Sequence, residues 1–237
     1  MIPSGGLRTA LRLGRVSNLP TVWTNVMAGV ALGGGALTAN VVVPIGIAMS
    51  LAYVGGMYLN DAFDSRWDAQ HRPERPIPAG QVSARTIFLA GFAMLGATLL
   101  ILLFGPGQGR ALPAGLALVA LIVIYDVSHK NNPLAPVAMG LCRVAVYVTA
   151  ARAATPGWQP TLFGGAAFLL AYLVLLSTIA RAETNNPRIP RLVGQLIAGI
   201  ALVDGVQLLM IRQLVAAGLC GVAFVLTRYL QRRVPGT

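Results

Sequence analysis

Between Arg15 and Asp61 the chain carries no charged side chain. Similar gaps separate Arg85 from Arg110, Arg110 from Asp126, and Arg152 from Arg181. A helix needs ~20 mostly apolar residues to cross a ~30 Å hydrocarbon core. The first gap therefore has room for two crossings, with Gly33-Gly34-Gly35 and Asn40 as the turn between them. Eight spans are predicted, at residues 16–37, 41–60, 84–104, 111–126, 134–152, 161–181, 191–211 and 213–230. In lipid the backbone must satisfy its own hydrogen bonds, so such spans are helices. The runs also lack the alternation of a transmembrane barrel. The predicted fold class is all-α: one polytopic transmembrane helix bundle over residues 1–237, with cytoplasmic capping loops.

Composition narrows the partners. Apolar types make up 56% of the chain and charged types 11%, against ~25% charged in soluble domains. This excludes a disordered chain. Two cysteines exclude a disulfide framework and a Cys-rich zinc site. The basic residues are scattered between apolar runs, which argues against a nucleic-acid partner. The first apolar stretch is long and runs at once into another, unlike a cleavable signal peptide.

The formal net charge of +11 reads mainly as topology. Fourteen basic residues fall on one set of segments: the N-terminus, the loops after spans two, four and six, and the C-terminus. Only Arg110, Arg152 and Arg212 fall on the alternate loops, and Arg143 lies inside span five. Cytoplasmic loops collect Lys and Arg, so both termini are expected in the cytoplasm of a multi-pass cell-membrane protein. Attraction to anionic membrane lipid is a secondary effect.

Seven acids are present, and Asp61, Asp64 and Asp68 crowd directly after span two. At ~100° per residue, Asn60, Asp64, Asp68 and Asp61 share one helical face of ~100°. Like charges so placed repel, unless a cation lies among them. Hard oxygen donors suit Mg²⁺, which is commonly shared with substrate phosphates. The other reading is a solvated helix end. His71-Arg72-Pro73-Glu74-Arg75-Pro76-Ile77-Pro78 follows. Its prolines stop the helix and stiffen the loop. Its arginines can bind phosphate oxygens in bidentate fashion.

At these residues the chain resembles the UbiA-type intramembrane prenyltransferases. Asn60, Asp64 and Asp68 match the first family signature, N-x₃-D-x₃-D, and Arg72-Pro73-x-Arg75-Pro76-Ile77-Pro78-x-Gly80 resembles its continuation. Arg15 to Asn25 is similar to the opening helix. Tyr125, His129-Lys130, Pro133 and Gly140 resemble the segment between spans four and five. The resemblance implies a bundle with a lipid-open cavity and Mg²⁺-dependent transfer of an isoprenyl group from a prenyl diphosphate to a small, often aromatic acceptor. It implies metal ligation by Asn60, Asp64 and Asp68, with Asp64 and Asp68 also essential to catalysis, and the shared helical face adds Asp61 to the candidate metal ligands. The second signature, D-x₃-D, is degenerate: between spans six and seven only Glu183 is acidic, beside Asn185 and Asn186. Glu183 is the candidate replacement, and Arg181 and Lys130 can carry part of the missing metal's charge.

Other candidates keep two readings. Lys130 contacts the diphosphate or marks the cytoplasmic side. His129 and Tyr125 contact substrate or belong to the interface. Asn18 faces a cavity or bonds a neighbouring helix. Asp126 binds metal or pairs with Lys130. Arg143 and Asp204, the charges inside spans, pair with each other, or Arg143 reaches toward the diphosphate. Two competing functions stay open: another membrane Mg²⁺ enzyme acting on a phosphorylated lipid precursor, and a non-catalytic isoprenoid-binding protein.

Overall fold

The computed structural model describes residues 4–130, 132–181, 189–234 and 236. Its helices are α1 (Ser4–Leu13), α2 (Leu19–Leu32), α3 (Ala39–His71), α4 (Ala84–Phe104), α5 (Leu112–Ser128), α6 (Ala135–Ala154), α7 (Pro160–Arg181), α8 (Ile189–Met210) and α9 (Leu214–Gln231). The described residues form no strand. Six of these helices are long and apolar enough to cross a membrane, and α5 is a shorter apolar helix. With α2 they answer to the eight expected spans, so the chain is a multi-pass membrane bundle.

The start of the chain departs from expectation. The N-terminal arginines lie on or beside α1, a short helix rather than a loop. Leu7 and Leu11 are exposed on it, while Leu13 packs with Tyr58, Ala62 and Ile87. A helix with exposed leucines between arginines suits the membrane interface. Arg15 then adopts a left-handed conformation (φ 42°, ψ 45°) before a 3-10 turn at Val16–Asn18. This sharp bend starts α2 later than residue 16.

The second departure is the length of α3. Its 33 residues span about 50 Å at 1.5 Å per residue, well beyond a ~30 Å hydrocarbon core. No Gly or Pro occurs between Gly56 and Pro73, so nothing stops the helix at residue 60. Asn60 to Asp68 therefore ride on its protruding end.

Inside the bundle, α2 packs against α3, α6, α8 and α9. A Cβ on Gly29 would stand 2.6 Å from the Tyr147 carbonyl oxygen, and one on Gly33 2.6 Å from Ala151 Cβ. The α2–α6 pair thus meets backbone to backbone, as small residues permit in membranes. Leu89, Phe92, Leu116, Ile124, Val222 and Val225 are exposed and form part of the lipid-facing surface.

One end of the bundle gathers α1 and the ends of α3, α5 and α9; Gln231 Nε2 donates to Asn18 Oδ1 at 3.1 Å across it. The opposite end holds the turns after α2 and α6, where Thr155 Oγ1 donates to the Gly33 carbonyl at 3.0 Å. The Gly105–Gly109 segment is a turn at that opposite end, with Gly107 and Gly109 at positive φ. Both described chain ends are thus on the face that carries the acid cluster.

Candidate active site at the shared end of α3 and α5

Asn60, Asp61, Asp64 and Asp68 are all buried, because the 72–83 loop, α1 and the end of α5 close over the protruding turns of α3. The expected shared face is real, and each side chain on it has a polar partner. Arg75 Nη1 binds Asp68 Oδ2 at 2.9 Å and Asp61 Oδ1 at 3.3 Å. Arg15 Nη2 reaches Asp61 Oδ1 at 3.6 Å. Lys130 Nζ binds Asp64 Oδ1 at 2.8 Å, and His129 Nε2 lies 3.5 Å from Asp64 Oδ2. Asn60 Nδ2 donates to Asp126 Oδ1 at 3.2 Å.

The charges are thus interleaved, carboxylate against cation. Burial alone would raise the Asp64 carboxyl, but hydrogen bonds from His129 and Lys130 outweigh it and hold the group below the usual carboxylate range. The hydrogen bond to Asp64 raises His129 against its own burial. Burial pushes Asp61 up despite Arg15 and Arg75.

A titration follows from this pairing. His129 lies above its ordinary value of 6.5 in the folded chain. Its contribution to stability is therefore fully present below about 6.5 and is lost as pH rises through the raised value. The chain has two histidines, so NMR of ¹³C-labelled imidazole resolves the event. Asp64→Asn should remove the largest raising partner and leave burial with the two backbone hydrogen bonds, lowering the His129 midpoint. An unmoved midpoint would contradict the pairing.

The donor set fits a hard divalent cation. Asp68 is 1% exposed and Asp126 4%. Their Oδ1 and Oδ2 atoms respectively are buried without a hydrogen-bond partner among the described residues. Buried carboxylate oxygens normally have partners, so both are available as ligands. The described residues contain no group of three or more His, Cys, Asp or Glu arranged to hold a metal alone. Mg²⁺ does not need one: it commonly takes one or two carboxylates and completes its shell with waters and substrate phosphates.

The remaining candidates divide. Lys130 and His129 join the site. Tyr125 stacks on His129 at 5.0 Å between ring centroids. Arg72 does not reach the carboxylates; it lies 5.6 Å over the Trp67 ring, which also stacks on His71. Asn18 is 2% exposed and spends its amide on Tyr53 Oη, the Gly236 carbonyl and Gln231. Those contacts favour a helix-linking role over a cavity-facing one, because no donor is left over. Arg143 neither meets Asp204 directly nor reaches the acid cluster. Its Nη1 donates to Asn25 Oδ1 at 2.8 Å and Nη2 to Thr21 Oγ1 at 3.2 Å, while Asn25 Nδ2 donates to Asp204 Oδ2 at 2.8 Å. Glu183 and the side chain of Arg181 lie outside the described residues.

Sequence reasoning underrated Arg15, Asn25 and Asp126. Arg15 counted as a topology charge, although it opens the segment resembling the family's first helix. Asn25 was one more polar residue in an apolar run. Asp126 sat beside Tyr125 in a matching segment, without a partner to decide its role.

The UbiA prenyltransferase family model matches residues 21–232. A digeranylgeranylglyceryl phosphate synthase from Ignicoccus hospitalis is 39% identical over 127 residues, covering 53% of this chain and 40% of that protein. One from Methanothrix thermoacetophila is 32% identical over 167 residues, covering 65% and 57%. The chain thus spans about half the length of the curated relatives it matches. A solved UbiA homologue from Archaeoglobus fulgidus, bound to DMAPP and Mg²⁺, has the same fold. Its TM-score is 0.62 at 15% identity, over 96% of this chain and 88% of that one. Sequence match and fold agree across nearly the whole bundle: the chain belongs to the UbiA prenyltransferase family.

Proposed function

We propose that the chain transfers an isoprenyl group from a prenyl diphosphate to the hydroxyl of a glycerol phosphate lipid, with Mg²⁺ as cofactor. The observation that carries this reading is the end of α3, where buried Asp64 and Asp68 stand beside Arg75, Lys130 and His129. Asp64 and Asp68 hold the cation; Arg75 and Lys130, already paired with them, turn to phosphate oxygens. Bound Mg²⁺ supplies positive charge to the leaving diphosphate. The C1–O bond of the prenyl diphosphate breaks with its electron pair going to the diphosphate. The allylic cation is captured by the acceptor oxygen, and the hydroxyl proton is released. Arg75 and Lys130 stabilise the charge that develops on the leaving group. The mostly apolar helices beneath the site suit a prenyl tail.

The acceptor is where this reading moves away from the aromatic expectation. The matched relatives bear the name of a synthase whose product is a glycerol phosphate with two geranylgeranyl chains, and that name supports a phosphoglycerol acceptor. The 14-to-3 distribution of basic residues supports a cytoplasmic location for the acid-cluster face and both termini.

The test uses the full chain in nanodiscs with Mg²⁺ and C10 to C40 prenyl diphosphates, offered geranylgeranylglyceryl phosphate or a phenol. Mg²⁺-dependent diphosphate release with an ether-lipid product is expected. Product from the phenol alone would overturn the acceptor assignment, and no release with any pair would overturn the transferase reading.

A further inference from the structure

We infer that Asp126 is an additional cation ligand, one helical turn deeper in the bundle than Asp64, and that Asn60 is its positioning residue. The inference rests on the prenyltransferase reading above and assigns the inner carboxylate of that site. Asp126 comes from α5, opposite the acid cluster of α3. It is 4% exposed. One oxygen is held by Asn60 Nδ2 at 3.2 Å, and the other is buried without a partner among the described residues.

A purely structural role explains this poorly. The obvious ion-pair partner, Lys130, binds Asp64 instead at 2.8 Å. Among the described residues no cation forms an ion pair with Asp126; Asn60 offers a single neutral hydrogen bond. A buried carboxylate oxygen without a partner calls for an explanation, and carboxylates so placed cluster at functional sites. The chemistry of the free atom is that of a hard anionic oxygen, which suits Mg²⁺ or Mn²⁺. Asn60 is the first residue of N-x₃-D-x₃-D, yet its amide nitrogen points to Asp126. Its contribution here is to fix a carboxylate on the neighbouring helix, as outer partners fix metal ligands elsewhere. The segment between α7 and α8 carries one acid, Glu183, where two aspartates are expected. Asp126 supplies an anionic oxygen from α5.

Mn²⁺ binding, read by EPR on the full chain in detergent with an unreactive prenyl thiolodiphosphate, tests this without turnover. Asp126→Asn should weaken Mn²⁺ binding by about 10–100-fold, and Asn60→Ala by about tenfold. Without Mn²⁺, the melting midpoint of Asp126→Asn should be unchanged or higher, because the isosteric amide removes a poorly compensated buried charge. Asp126→Ser, smaller and neutral, should weaken Mn²⁺ equally. Wild-type Mn²⁺ affinity in both Asp126 variants, with weakened binding in Asp64→Asn, would overturn the inference and leave the transferase reading standing. Wild-type affinity in Asp64→Asn as well would overturn both. Loss of the fold in both Asp126 variants without Mn²⁺ would make the residue structural and also overturn the inference.

Discussion

Asp64→Asn and Asp68→Asn should each slow Mg²⁺-dependent diphosphate release by at least about 10²–10³-fold, the loss typical when a group stabilising leaving-group charge is removed. The two act by different routes. Asp68 has one oxygen on Arg75 at 2.9 Å and the other buried and free, so the amide removes a ligand directly. It also leaves Arg75 with Asp61 as its remaining carboxylate. Asp64 has both oxygens engaged, by Lys130 and His129. Its amide weakens a cation ligand and also removes the anion that gathers Lys130 and His129 at the site. Both residues ride on the end of α3, away from the apolar core around Val26, Met49 and Leu59, so the fold should survive. The measurement is single-turnover release of diphosphate from labelled prenyl diphosphate, alongside the melting midpoint of each variant. Wild-type rates in both variants would refute the assignment of the catalytic carboxylates.

The architecture was legible because it depends on one-dimensional properties. Missing charge marks lipid exposure, and the gaps between Arg15, Asp61, Arg85 and Arg110 divide the chain wherever the helices fall. The expected span at 84–104 coincides with α4. The acid cluster was legible for a similar reason: helical periodicity alone puts Asn60, Asp64 and Asp68 on one face. What the sequence could not carry was the rotation of one helix against another. Whether Lys130 met Asp64 or Asp126 depended on how α5 turns toward α3. The bridging of Arg143 to Asp204 depended on Asn25 of α2 standing between α6 and α8. Asn18 keeps both readings, cavity-facing or helix-linking, in the sequence because its partners, Tyr53, Gln231 and Gly236, are distant along the chain.

That three-helix bridge sets the second large effect. Asp204 is fully buried, held by Asn25 and by the Tyr147 hydroxyl, and Gln207 Nε2 donates to that hydroxyl at 3.2 Å. Arg143 holds Asn25 from the other side and lies 5.3 Å over the Tyr53 ring. Removing one charge from such a network strands the other, at a cost of ~3–5 kcal/mol. Asp204→Leu should therefore lower the melting midpoint steeply. The same reasoning predicts partial rescue: Arg143→Met combined with Asp204→Leu replaces both charges by apolar groups and should recover part of the loss, the remainder being the cost of leaving buried Asn25 and Tyr147 without that partner. A midpoint unchanged in Asp204→Leu, or no recovery in the double variant, would show that the charges are not coupled through Asn25. The double variant also separates the two roles open to Arg143. If the guanidinium serves only the bundle, the rescued protein releases diphosphate at the wild-type rate. If it contacts substrate, the fold returns and the rate does not.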